Sequence, residues 1–130
     1  MEFDSPYSEQ LKKADEIKLA GLFEEAIEIC EEILCSDPEC IEAYEEIGDN
    51  YLSLRQYDKA IKALERAINL DERNANAHYL LGFTYSAMSE WNKSIEFEEI
   101  YWILKKCFPG DSEFALDNFY NLPYLYVLDA

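Results

Sequence analysis

The chain has 130 residues, 28 of them acidic and 11 basic, which gives a formal charge of −17. This charge disfavours nucleic acid and anionic membranes as partners, because binding to either depends on Lys and Arg, and it favours a basic partner. The N-terminus lacks the basic and apolar regions of a secretory leader, and no stretch of about 18 apolar residues follows. We therefore expect a cytoplasmic protein folded as one domain over residues 1–130.

The start of the chain predicts a pair of helices. Residues 7–19 space their apolar side chains by three or four, with Ser5 as a candidate N-cap and Pro6 at the first turn. Gly21 interrupts this pattern, and an apolar stripe of helical spacing then runs over 23–34. An Asp-Pro step follows and should close the pair, since the residue before proline avoids the helical region.

The same plan recurs twice along the chain. Helical patterns cover 41–53 and 57–70, then 75–87, and a last helix begins near Trp91 and continues to about 108. Corresponding residues are spaced by 34 positions. The recurring sets are Phe23, Tyr57 and Trp91; Ala26 and Ala60; Tyr44 and His78; Ile47 and Leu81; Gly48 and Gly82; Tyr51 and Tyr85. Such a period is typical of stacked helical repeats, in which each helix pair buries its apolar face against the next.

Two glycines, Gly48 and Gly82, lie inside predicted helices. Glycine in a helix costs about 1 kcal/mol relative to alanine, so another interaction must offset that cost. We expect both glycines to mark close helix–helix contacts, with Ala26 and Ala60 serving the same purpose on the second helices.

Four cysteines and one histidine are present, but their spacing is not that of a metal site. Cys30, Cys35, Cys40 and Cys107 include no Cys-x-x-Cys pair, and His78 is the single histidine. Without a secretion signal we expect no disulfide. Cys30 falls on an apolar helix face and should be buried. His78 holds an aromatic position of the repeat, so we expect it to pack rather than catalyse.

The recurring residues resemble those of the tetratricopeptide-repeat family. Residues 41–74 match throughout except for the closing proline, 7–40 match in their second half, including Pro38, and 75–108 match in their first half. The residues that carry the best match are Tyr44, Ile47, Gly48, Tyr51, Tyr57, Ala60, Leu64 and Ala67. The resemblance implies an all-α, right-handed superhelical solenoid of three antiparallel helix pairs. It also implies a concave groove, lined by the first helix of each pair, that binds peptides or partner helices.

The third repeat departs from this pattern. Ser94, Glu98 and Tyr101 stand where the family has Ala, a bulky apolar residue and Ala, and we expect Tyr101 to be too bulky for ordinary stacking. The closing proline comes three residues late, at Pro109, which predicts a last helix about one turn longer than its predecessors. The divergent segment 109–130 is strongly apolar. It folds back as a cap, makes a dimer or strand-exchanged contact, or results from cutting or redesigning a longer array.

The groove positions that the resemblance implies change in character along the chain. They are mixed in the first repeat, where they include Asp15 and Lys18, acidic in the second and aromatic in the third. The candidate partner-binding residues are Glu42, Glu45, Glu46, Asp49, Asn76, Tyr79, Leu80 and Phe83.

Chaperone-binding members of the family grip a C-terminal carboxylate with a basic clamp. Here the matching positions carry no cation; they are Leu11, Asp15, Glu46, Asn76 and Leu80. We therefore predict a partner segment with Lys or Arg and an apolar or aromatic anchor that packs on Tyr79, Leu80 and Phe83. The alternative is that the acidic residues form only a solvated face.

Catalysis has little support in this sequence. Carboxylates spaced by four include Glu24 with Glu28 and Glu42 with Glu46, and we expect them to face water with ordinary pKa values. No nucleophile, phosphate-binding or metal-ligand motif is present, and we predict no cofactor. The predicted function is a non-catalytic adaptor or scaffold. The alternatives are self-assembly through the apolar residues 97–128 and, from another class, a small hydrolase or metal-dependent enzyme on the acidic face.

Overall fold

The computed structural model describes residues 6–107, which fold into six α-helices without a strand. The helices are α1 (Ser8–Leu19), α2 (Phe23–Ser36), α3 (Ile41–Ser53), α4 (Tyr57–Leu70), α5 (Ala75–Ala87) and α6 (Trp91–Cys107). The all-α repeat fold is confirmed. In the described part of the chain, no helix is both long and apolar enough to cross a bilayer.

The start of the first helix differs from the prediction. Pro6 lies in a turn, Tyr7 is the N-cap residue, and no side chain caps the helix, which begins at Ser8. The proposed cap Ser5 and the segment 109–130 lie outside the described residues. Because 109–130 is not described, none of the three alternatives for it is tested.

In all three helix pairs, the two helices are joined by the same type of turn. Gly21, Arg55 and Ser89 lie 34 residues apart and share the left-handed region, with φ values of 86°, 62° and 63°. In each turn the following residue donates its backbone N–H across the helix end, a Schellman arrangement. These bonds are Leu22 to Ile17 at 3.1 Å, Gln56 to Tyr51 at 2.9 Å and Glu90 to Tyr85 at 2.8 Å. The predicted break at Gly21 is confirmed, and Arg55 and Ser89 adopt the same left-handed backbone conformation although they are not glycines.

The chain divides between Glu72 and Arg73 into two compact units. We call them unit 1, which holds α1–α4, and unit 2, which holds α5 and α6. The core of unit 1 consists mostly of small and branched apolar side chains, as packing several helices closely requires. Its buried members are Ala14, Ala26, Ile27, Cys30, Ile33, Cys40, Ala43, Ile47 and Ala63.

The two helical glycines mark close helix contacts, as predicted. A Cβ placed on Gly48 would lie 2.6 Å from the Cγ atom of Leu64 on α4. A Cβ on Gly82 would lie 2.7 Å from the Cγ atom of Glu98 on α6. Both separations are shorter than real Cβ contacts, so the hydrogen of glycine is what lets each pair of helices approach.

Helix α6 is described over 17 residues, whereas α2 and α4 have 14 each, so the predicted extra turn is confirmed. Tyr101 is fully buried on α6. Its ring packs at 5.3 Å from that of Tyr79 on α5 and at 5.0 Å from that of Trp102. Ala67 holds the position on α4 that corresponds to Tyr101. In unit 2 the larger tyrosine ring is accommodated within an aromatic cluster.

Candidate partner-binding surfaces

The four acidic candidates lie together on α3 of unit 1. Glu42, Glu45, Glu46 and Asp49 are spaced by three or four residues, which places them on one face of the helix. Glu42 is exposed, and the other three are half-buried. The structure therefore brings together the acidic part of the predicted site.

A lysine from α1 reaches into this acidic face. The Nζ atom of Lys18 lies 3.2 Å from Oε1 of Glu46 and 3.1 Å from Oδ2 of Asp49. It also lies 3.2 Å from Oδ1 of Asp15 on its own helix. The sequence marked Lys18 as a groove position but did not pair it with α3. The pairing could have been inferred from the repeat, because α1, which carries Lys18, and α3 are the first helices of successive repeats and should lie side by side.

The pKa values of Lys18 and Glu46 are both shifted in this cluster. Partial burial by itself would lower the pKa of Lys18, but Asp49 and Glu46 outweigh that effect and raise it. Burial raises the pKa of Glu46, and the attraction of Lys18 offsets this only in part. The prediction that Glu46 faces water with an ordinary pKa is wrong, because its carboxylate is half-buried beside Asp49 and Asp15.

The candidates on α5 of unit 2 are not equally accessible. Phe83 is 46% exposed, whereas Tyr79 is only 8% exposed. Asn76 and Leu80 are half-buried. The prediction that a partner packs on the ring of Tyr79 therefore needs correction, because that ring belongs to the core of unit 2 beside Tyr101. Tyr79 instead supports Phe83, whose ring centroid lies 6.5 Å away.

The single histidine is a packing residue, as expected. His78 is buried, and its ring centroid lies 5.9 Å from that of Phe97. Phe97 also stacks on Tyr85, with centroids 5.5 Å apart and planes 11° from parallel. These three rings pack together and account for the position of the imidazole.

A buried polar pair on α6 was not predicted. Ser94 and Glu98 are both fully buried. The Ser94 hydroxyl lies 2.9 Å from the carbonyl oxygen of Gly82, to which it donates a hydrogen bond, and 3.5 Å from Oε2 of Glu98. The sequence showed that Glu98 replaces an apolar residue. Its complete burial as a carboxyl group appears only in the structure.

The cysteines are free thiols, with Cys35 and Cys107 exposed. Cys30 is buried as predicted, and burial raises the pKa of its thiol to about 12, so it stays protonated at neutral pH. Within residues 6–107, no group of three His, Cys, Asp or Glu side chains is arranged to hold a metal ion.

Comparison with known proteins agrees with this architecture. Residues 48–89 match a family model described as TPR repeat. The crystal structure of MamA superposes with a TM-score of 0.69 at 34% identity, over 76% of this chain and 58% of that one. The resemblance of this chain to tetratricopeptide repeats is therefore confirmed.

Two further proteins are similar to this chain. It is 36% identical over 70 residues to human Superkiller complex protein 3. The matched segment covers 54% of this chain and 4% of that protein. The second tetratricopeptide-repeat domain of Spaghetti (RPAP3), bound to the HSP90 peptide SRMEEVD, superposes with a TM-score of 0.70 at 21% identity. That match covers 74% of this chain and 89% of that domain. The chain thus spans less than two thirds of Superkiller complex protein 3 and of MamA.

Proposed function

We propose that the protein is a non-catalytic interaction module that binds a peptide or helix carrying Lys or Arg beside an apolar side chain. The observation that carries this proposal is the acidic face of α3, formed by Glu42, Glu45, Glu46 and Asp49. Phe83 of unit 2 is an exposed aromatic ring, and we propose it separately as a contact for an apolar side chain. A carboxylate-bearing face of this kind attracts cations and repels anions.

The fold supports peptide binding, but the charge supports a different peptide from the one bound by the RPAP3 domain. That domain holds SRMEEVD, whose last four residues include three with acidic side chains. In this chain such a segment would meet carboxylates on α3. Charge complementarity therefore favours a basic segment here.

Lys18 neutralises part of the acidic face and therefore affects which carboxylates that segment can contact. It already compensates part of the charge on Glu46 and Asp49, with which it forms ion pairs of 3.1–3.2 Å. Glu42 is exposed and lies at the N-terminal end of the same face. We propose that the partner's cation first contacts Glu42, the exposed carboxylate of this face.

The test is a binding measurement with the full chain and labelled synthetic peptides that combine two lysines or arginines with one leucine or tryptophan. Glu42→Lys together with Glu45→Lys should weaken binding at least about tenfold, because it replaces attraction with repulsion.

The matched control is Glu25→Lys together with Glu28→Lys. It makes the same change of charge, at the same spacing, on exposed positions of α2. Unchanged binding in the α3 variant, or an equal loss in the α2 variant, would reject the proposed site in favour of general attraction to an acidic protein.

Self-association is a second candidate function. It was predicted to use the apolar residues 97–128, of which 108–128 lie outside the described residues. Within the described part, Ile100 and Ile103 are exposed on α6, which supports this candidate. Sedimentation of the full chain at increasing concentration tests it, because a strict monomer would exclude an assembly role.

A further inference from the structure

The outer face of α6 differs from that of α4. On α4 the exposed residues are all polar: Asp58, Lys59, Lys62, Glu65, Arg66 and Asn69. On α6, Ile100 and Ile103 hold the positions of Arg66 and Asn69, 34 residues further along. These two isoleucines are 38% and 59% exposed.

The two isoleucines belong to a continuous stripe that faces away from α5. Residues 96, 100, 103 and 107 are spaced by four, three and four, as in the seam of a coiled coil. The buried residues of α6 lie on the opposite side of the helix: Ser94, Glu98, Tyr101 and Lys105. We call the stripe of Glu96, Ile100, Ile103 and Cys107 the outer seam.

We propose that the outer seam pairs with the same seam of a second copy of this chain, with the two α6 helices antiparallel. A two-fold axis between Ile100 and Ile103 would place each Ile100 against Ile103 of the other copy. A self-complementary contact of this kind needs matching charges on its flanks as well as apolar side chains in its centre.

The charges that flank the seam meet this requirement. Glu99 and Lys106 are seven residues apart and therefore lie on the same flank. In the antiparallel arrangement, Glu99 of each copy faces Lys106 of the other. The ion pairs of the described residues involve neither of them. A parallel arrangement would instead bring Glu96 against Glu96 in the seam, which like charges disfavour.

The expected association is weak. A stable interface usually buries about 800 Å² on each partner, and one helical stripe with two isoleucines offers less. We expect a dissociation constant on the order of 100 µM. This pairing does not depend on the peptide-binding proposal, because the outer seam contains none of the residues on α3 or α5 that the proposal uses.

The first test is sedimentation velocity of the full chain from about 10 µM to about 1 mM, a range that brackets the expected dissociation constant. Ile100→Arg with Ile103→Asn installs the residues that α4 carries at the same positions, and it should raise the dissociation constant at least about tenfold. Leu19→Ser is the control. Leu19 is 78% exposed on α1, and Ser53 holds the corresponding position on α3, so this change should leave association unaltered.

The second test uses charge exchange and holds even if the isoleucine variant fails to fold. Glu99→Lys and Lys106→Glu should each weaken self-association about threefold. Mixing the two single variants should form a heterodimer tighter than either homodimer, since every facing pair is then oppositely charged. A wild type that stays monomeric throughout, a dimer that survives the isoleucine change, or a mixture no tighter than its components would overturn the proposal.

Discussion

The hairpins α3–α4 and α5–α6 share one backbone register but bury different chemistry. In both, a glycine allows the helices to touch, at Gly48 in the first and Gly82 in the second. The side chain that fills the contact is Leu64 in α3–α4 and Glu98 in α5–α6. The register of a helix pair thus depends on the absent Cβ of one residue, whereas the side chain opposite can change from apolar to acidic.

The same contrast appears one turn further along. Ala67 is fully buried on α4, and Tyr101 is fully buried at the corresponding position on α6. Unit 2 accommodates the larger side chain with Tyr79 and Trp102, whose rings surround it. Its packing therefore depends on a few large rings rather than on many small side chains.

The largest expected effect comes from removing the central ring of unit 2. Tyr101→Ala should lower the free energy of unfolding of unit 2 by about 3–5 kcal/mol, because it leaves a cavity among aromatic neighbours. Urea unfolding monitored by tryptophan fluorescence measures this, since Trp102 contacts the ring. Phe83→Ala, which removes a half-exposed ring from the same cluster, is the control. Equal losses in the two variants would contradict the aromatic core.

The glycine contact predicts a change of sign in a double mutant. Gly48→Ala should lower the free energy of unfolding by about 1–2 kcal/mol, because overlap with Leu64 outweighs the better helix propensity of alanine. In a Leu64→Ala background the overlap is gone, so the same change should instead stabilise by up to about 1 kcal/mol, which is the difference in helix propensity between glycine and alanine. Chemical denaturation of the four proteins gives the cycle, and an equal effect in both backgrounds would contradict the contact.

The turn shared by the hairpins predicts equal gains in stability when glycine is introduced into α3–α4 and into α5–α6. Arg55→Gly and Ser89→Gly should each raise the free energy of unfolding by about 1 kcal/mol, because the left-handed backbone is unfavourable for residues with a Cβ. Gly21→Ala, in the first hairpin, should have the opposite sign. Thermal and urea unfolding measure all three. A loss at Arg55 would show that its side chain contributes more than the backbone costs.

The smallest effect concerns the pH dependence of unit 1. Because burial raises the pKa of Glu46, the folded state binds more protons than the unfolded state just above the ordinary glutamate value of about 4.3. The wild type should therefore lose stability relative to Glu46→Gln as the pH rises through that range, by about 0.5 kcal/mol after solvent screening.

Urea unfolding at several pH values between about 4 and 7 measures this difference. Glu42→Gln, an exposed carboxylate of the same helix, controls for the loss of one negative charge. A wild type that gains stability over Glu46→Gln with rising pH would show that the attraction of Lys18 dominates instead.

The sequence predicted the scaffold more completely than the site. The bounds of α3, α4 and α5 match the predicted ranges, and the two glycine contacts follow from glycines placed inside apolar helical patterns. Helix bounds depend on neighbours within one or two turns, which a periodic pattern records, and the glycine contacts were inferred from the cost of a glycine inside such a pattern. The acidic face of α3 was predicted for the same reason.

The errors concern side chains whose environment depends on another helix. Tyr79 has the spacing of a groove residue, yet it is buried in the core, where its ring packs against that of Tyr101. Glu46 has the spacing of a surface carboxylate, yet α1 half-covers it. In each case the deciding partner lies more than twenty positions away in the chain, where a local pattern carries no information about contact.

The sequence by itself determined the repeat, the boundaries of α3, α4 and α5 and the excess of negative charge, because period and composition are properties of residue order. The tertiary structure alone decided which charges remain available to a partner. The ion pairs of Lys18 with Glu46 and Asp49 depend on distances of 3.1–3.2 Å between different helices. Coulomb attraction falls with distance and strengthens as burial lowers the local dielectric constant, so only the packed arrangement sets its strength.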